Sequence, residues 1–68
     1  MKISARNVLK GKIVEVTKGA TTAHVRVAIG DVVVTSSITN ESVDALKLAV
    51  GKDAYAVVKA SDVMIGVE

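Results

Sequence analysis

The chain has 68 residues, nine basic and seven acidic, for a formal charge of +2 at neutral pH. Half of the residues are hydrophobic, yet there is one aromatic (Tyr55), one histidine, and no cysteine or proline. This balance leaves room for a single domain, residues 1–68, and excludes a disulfide framework, a Cys/His zinc site, an apolar span of about 20 residues, and the dense basic footprint of a nucleic-acid binder.

Fourteen valines carry most of the apolar surface. In a chain this short, core burial roughly cancels the cost of ordering, about 1.5 kcal/mol per residue. With no disulfide or metal to add stability, self-association is the remaining stabiliser, and an oligomer is expected. The N-terminus has no basic segment followed by an apolar run, so no secretory signal is expected, and the lack of cysteine is consistent with the cytoplasm.

Taken in order, the first stretch with chemical character is Ser4-Ala5-Arg6-Asn7. In extended backbone, residues two apart point to the same side, so Ser4 and Arg6 would form a hydroxyl and guanidinium pair suited to an anion. Lys10 to Lys18 reads as a strand with Lys12, Val14, Val16 and Lys18 on one face and Ile13, Glu15 and Thr17 on the other. Lys18-Gly19-Ala20 reads as a tight connection, with Gly19 free to take a positive φ. The second strand, Thr21 to Ile29, sets Thr21, Ala23, Val25, Val27 and Ile29 against Thr22, His24, Arg26 and Ala28. Gly30-Asp31 has the Gly-first pattern of a two-residue hairpin turn. The third strand, Val32 to Ile38, puts Val32, Val34, Ser36 and Ile38 on one face.

The period then changes. Thr39 or Asn40 can cap a short helix, Glu41 and Asp44 suit its first turn, and Val43 and Leu46 are spaced to pack on a sheet. A further strand runs from Asp53 to Lys59, with Ala54, Ala56 and Val58 alternating with Tyr55, Val57 and Lys59. Val63 to Val67 is apolar enough for a last short strand that would close the sheet. The order β-β-β-α-β-β predicts an all-β fold with one short helix, a five-stranded OB-like barrel.

Catalytic patterns are absent: there is no Cys, no HxxxH or nucleophile-elbow motif, and no paired carboxylates, so no enzyme is expected. His24 reads as a surface residue. An OB-type nucleic-acid-binding module is the alternative function, but it would want aromatic platforms among basic residues, and Tyr55 stands alone. What the chain does supply is hydrogen-bond donors. It has ten Ser and Thr residues, several of them clustered at Ser4, beside Arg6, and along Thr35-Ser36-Ser37-Ile38-Thr39-Asn40-Glu41-Ser42, which leads into the helix start.

Four segments in this order and spacing, Ser4-Ala5-Arg6-Asn7, Leu9-Lys10-Gly11-Lys12-Ile13, Ile38-Thr39-x-x-Ser42 and Val57-Val58-Lys59-Ala60-Ser61-Asp62-Val63-Met64, resemble the molbindins. These are small Mop-type molybdate-binding proteins related to TOBE domains. The resemblance spans nearly the whole chain. It implies an OB-like barrel assembled as a homohexamer, a trimer of dimers, with oxyanions held between subunits. Matched residue by residue, it implies that Ser4, Arg6, Lys59 and the backbone N–H of Ala60 contact the anion from one subunit. Thr39 and Ser42 would contact it from the neighbour. Further anion sites near threefold axes are also implied, for which the Lys18-Gly19-Ala20 turn is a candidate. The implied role is cytoplasmic storage and buffering of the oxyanion, since the chain carries neither a helix-turn-helix segment nor an ATPase domain.

The implied ligand suits the residues. Molybdate at neutral pH is a tetrahedral dianion that accepts hydrogen bonds and has no proton to donate, and a site made only of donors fits it. Phosphate keeps a proton and would want an acceptor. Sulfate must be excluded by size, whereas tungstate, nearly the size of molybdate, should bind similarly. The metal would be held through its oxygens, without direct side-chain coordination. No nucleic acid and no membrane are expected as partners.

Overall fold

A computed structural model describes all of residues 1–68. It contains β1 (Asn7–Lys18), β2 (Thr22–Ile29), β3 (Val32–Thr39), α1 (Asn40–Ala45), β4 (Asp53–Val58) and a 3-10 turn at Ala60–Asp62. The strands form one sheet in the order β3-β2-β1-β4, with every neighbouring pair antiparallel. As expected, the fold is OB-like and all-β with one short helix.

β1 organises the sheet because it serves two partners. Its first half pairs with β4, from Asn7 opposite Val58 to Lys12 opposite Asp53, and its second half pairs with β2, from Lys12 opposite Ala28 to Lys18 opposite Ala23. The strand begins at Asn7, three residues before the expected start at Lys10. Gly11 sits where the partners change. A Cβ there would lie 2.3 Å from the carbonyl oxygen of Ala28 and under 3 Å from the Val27 and Ile29 side chains. Only the residue without a Cβ lets the two backbones approach this closely.

The expected faces of β1 need one correction. Between Ile13 and Glu15 the register slips by a residue, since Ile13 pairs with Val27 but Glu15 pairs with Arg26. Val14 is the extra residue of a β-bulge, and the bulge resets the alternation. Ile13 and Val16 therefore share the core side, while Val14, expected beside Val16, is exposed.

β2 follows its sequence pattern closely: Ala23, Val25 and Val27 are buried, and Thr22, His24 and Arg26 are exposed. The hairpin to β3 turns at Gly30, at φ 60°, which a Gly-first two-residue turn requires. Gly19 does not take a positive φ; its connection to β2 is closed by its N–H donating to the Thr22 carbonyl at 2.7 Å.

Thr39 caps α1, with its hydroxyl accepting from the Ser42 N–H at 3.0 Å. Asn40 fixes the helix start against the β1–β2 turn: its N–H donates to the Thr21 carbonyl and its side-chain amide to the Gly19 carbonyl, both at 2.9 Å. The helix ends after six residues. Lys47, at φ 54°, donates its N–H to the Asp44 carbonyl, and Leu48 donates to that of Val43, the paired bonds of a Schellman cap. Of the two residues expected to pack on the sheet, Val43 does so. Leu46 is exposed, and Leu48 takes its place because the left-handed turn at Lys47 swings it inward.

Ile13, Ala23, Val25, Val27 and Val43 form the core, flanked by Val16, Ile29, Ile38, Leu48 and Ala54. The expected strand at Val63–Val67 is not formed. The 3-10 turn carries the chain off β4, and Met64, Ile65 and Val67 are 92, 88 and 94 % exposed. The strand count is thus four, and the sheet stays open along one seam. There an apolar groove of about 540 Å³ separates Val34, Ser36 and Ile38 of β3 from Ala54, Ala56 and Val58 of β4. No helix is long and apolar enough to cross a membrane.

Candidate functional site

The residues expected to hold an anion fall into two groups at opposite ends of β1. At its first end, Asn7 opposite Val58 is the last rung of the β1–β4 ladder. Counting one step further in the same register brings the chain to Arg6 on one side and Lys59 on the other. Beyond Lys59 the chain leaves the strand in the 3-10 turn Ala60–Asp62. The β1–β4 ladder therefore ends next to all four residues expected from a single subunit, with Ser4 and Arg6 leading into β1 and Lys59 and Ala60 leading out of β4.

This end is electrostatically uncompensated. Like charges at cross-strand positions repel, and the acidic residues are engaged elsewhere or lie apart. The ion pairs of the fold are Lys12 with Asp53 at 3.2 Å, Lys18 with Asp44 at 2.6 Å, and Arg26 with Glu15 at 3.7 Å. Neither Arg6 nor Lys59 has a carboxylate within 4.0 Å, and Asp62, three residues from Lys59, does not pair with Arg6. Both side chains are exposed. Lys59 runs directly into the 3-10 turn, which is closed by the Asp62 N–H donating to the Lys59 carbonyl at 2.9 Å. The first N–H groups of such a turn have no acceptor within it and point outward. An anion here would meet a guanidinium, an ammonium, a hydroxyl and backbone N–H groups, all donors.

The second group lies at the start of α1. The Thr39 hydroxyl is used twice, accepting from the Ser42 N–H and donating to Ser42 Oγ at 2.8 Å. It is a working cap. Ser42 Oγ accepts that bond and keeps its own proton, so it is the residue of the pair with a donor to offer outward. Thr39 pairs with Thr22 near the far end of the sheet, beside the turn that follows Lys18.

The two groups do not meet within one chain. β3 and β4 are the opposite edges of the sheet. From Asn7 to Lys18, β1 would extend about 36 Å if straight, at about 3.3 Å per residue, and the longest extent of the molecule is 34 Å. A single subunit carries the two donor groups at separate places on its sheet.

Other residues singled out in the sequence play lesser parts. His24 is exposed on β2, opposite Thr17 and Ser37. No three His, Cys, Asp or Glu side chains gather into a metal-holding cluster. Tyr55 is 52 % exposed on β4, so it is not a core residue, and no second aromatic stands near it as a stacking platform. Sequence reasoning missed the part played by Asn7, whose side-chain amide donates to the Val58 carbonyl at 3.1 Å across 51 residues. Its position closing the Ser4–Asn7 segment was the only signal.

Known proteins resemble this chain over nearly its whole length. The TOBE domain matches residues 3–65. A probable molybdenum-pterin-binding protein of Haemophilus influenzae is 51 % identical over 69 residues, covering 100 % of both chains. Among solved structures, a molybdate-binding protein from Sporomusa ovata superposes with a TM-score of 0.94 at 33 % identity, covering 98 % of this chain and 100 % of that one. The cytoplasmic molybdate-binding protein ModG, with molybdate bound, gives a TM-score of 0.94 at 40 % identity, covering 100 % of this chain and 49 % of that one.

Proposed function

Because the chain belongs to the TOBE-domain family, in its small Mop-type branch, we propose that it binds molybdate or tungstate at sites shared between subunits. The role is storage and buffering of the oxyanion in the cytoplasm, without catalysis. The observation that carries this reading is the end of the β1–β4 ladder at Asn7 and Val58, where the next residues, Arg6 and Lys59, are both cationic and neither has a carboxylate within 4.0 Å. Two cations at one strand end favour a dianion between them, because its binding replaces a repulsion with two charge-assisted bonds.

In this reading Ser4, Arg6, Lys59 and the Ala60 N–H hold the anion from one subunit. Ser42, oriented by Thr39, completes the shell from the next. The placement of the two groups at opposite ends of β1 supports a shared site, since neither alone surrounds a tetrahedral ligand. Abundant exposed apolar surface, including Val32, Leu46, Val50 and the Met64–Val67 tail, supports burial against further copies. The assembly is a homohexamer, a trimer of dimers, built from one Mop-type unit spanning residues 1–68. Because the ligand needs the assembled state, it stabilises that state by mass action.

Native mass spectrometry with and without molybdate tests stoichiometry and assembly together. The expected result is a hexamer that gains bound oxyanion and dissociates less readily when loaded. A species that stays monomeric, or one that assembles yet takes up no molybdate in equilibrium dialysis, would overturn the reading.

A further inference from the structure

We infer that Asn7 is a positioning residue for the oxyanion site, and that it sets the size selectivity of the site without touching the ligand. This rests on the proposed role of Ser4, Arg6, Lys59 and Ala60 in binding. The Asn7 side-chain amide donates to the carbonyl of its own cross-strand partner, Val58, at 3.1 Å. It thereby adds a side-chain rung at the point where the β1–β4 ladder ends, between Arg6 on one chain and Lys59 on the other.

Both neighbours of this rung are site residues. Arg6 directly precedes Asn7, and Lys59 directly follows Val58. The ladder alone would fray at its last pair, as strand ends do when nothing ties them. Arg6 and Lys59, the next residues on the two strands, are both cationic, so no ion pair ties the strands beyond this rung. The Asn7 amide ties the strand end from a half-buried position. On the other side of Lys59, the 3-10 turn is closed by the Asp62 N–H on the Lys59 carbonyl. Lys59 and Ala60 are thus held between two fixed points, and the spacing between the two walls of the site follows from the Asn7 rung.

Spacing matters because the chemistry of the donors does not separate molybdate from sulfate. Both are unprotonated tetrahedral dianions, so discrimination depends on walls that cannot close around the smaller one. Asn7 supplies that rigidity. Its amide is an uncharged donor, and a carboxylate at this position would repel both the Val58 carbonyl and the anion.

The test measures molybdate and sulfate affinity by calorimetry on the assembled protein for Asn7→Ala, the near-isosteric Asn7→Leu, and Arg6→Ala, with melting temperatures in parallel. In both Asn7 variants the ratio of molybdate to sulfate affinity should fall by about fivefold or more, the worth of one net hydrogen bond. Amide hydrogen exchange along the last rungs of the β1–β4 ladder should accelerate. Arg6→Ala should weaken both anions together. A purely structural role for Asn7 would lower the melting temperature and leave the ratio unchanged, which would overturn the inference while the site reading stands. If Arg6→Ala binds molybdate like the parent, the site reading itself fails, and this inference with it. Asn7→Leu keeps the side-chain volume, so a folded variant is in hand even where Asn7→Ala does not assemble.

Discussion

The two ends of β1 solve opposite problems. At the far end, where the strand leads to the β1–β2 turn and α1, the polar groups are largely met within the chain, Asn40 Oδ1 being buried without a partner. Lys18 is neutralised by Asp44, the Thr39 hydroxyl both accepts and donates, and Asn40 ties the helix to the turn. At the near end, Arg6 and Lys59 are the next residues past the last β1–β4 rung, and neither has a carboxylate within 4.0 Å. The cation of the first end is met by its own chain, whereas the two of the second remain in water, where they cost little. The contrast marks the near end as the one whose charges are unmet within the chain.

The comparison breaks most sharply if both cations are removed. The double variant Arg6→Ala/Lys59→Ala should lose about a hundredfold or more in molybdate affinity by equilibrium dialysis, since hydrogen bonds to charged groups contribute about 1.5–3 kcal/mol each. Its unliganded thermal stability should be unchanged or slightly higher, because a repulsion has been removed. A clear drop in stability with affinity retained would place the near end among the finished parts of the fold.

Next in size is Gly11→Val, which attacks the junction between the two ends. The side chain would drive β1 away from Ala28, and overpacking of this kind costs about 1–3 kcal/mol. Denaturant titration should show this loss. Anion binding should fall with it, because the near end depends on β1 leaving β2 at this point to pair with β4.

At the far end, two neighbouring hydroxyls should separate by readout. Thr39→Ala removes the cap and should cost about 1 kcal/mol of stability. Ser42→Ala leaves the cap bond to its backbone N–H intact and should instead weaken molybdate binding by about fivefold. If both variants behave alike, the division between cap and ligand contact is wrong. The smallest effect is Lys47→Gly, which relieves a left-handed φ of 54° in a residue with a Cβ. It should raise stability by up to about 1 kcal/mol without altering affinity.

Much of this was legible in the sequence because alternation carries the information. Ala23, Val25 and Val27 are buried as their spacing requires, and the Gly30 turn and the Thr39 cap follow from residue types that suit those conformations. The departures share a cause. The Val14 bulge, the burial of Leu48 in place of Leu46, and the unformed strand at Val63–Val67 each depend on how one segment meets another. No local pattern records a register slip or a left-handed turn taken by a lysine.

For the site, the sequence by itself determined the chemistry: a set made of hydroxyls, a guanidinium and an ammonium, with no nucleophile, no metal-ligand cluster and no aromatic platform. Side-chain identity fixes what a group can donate, and that needs no neighbour. Only the tertiary structure decided which donors stand together. The antiparallel register of β1 and β4 ends with Asn7 opposite Val58, so Arg6 and Lys59, 53 residues apart in the chain, follow the same rung, and Thr39 and Ser42 lie at the other end of β1. Proximity between distant segments is a property of strand pairing, which here depends on the close backbone approach at Gly11 and the rung at Asn7.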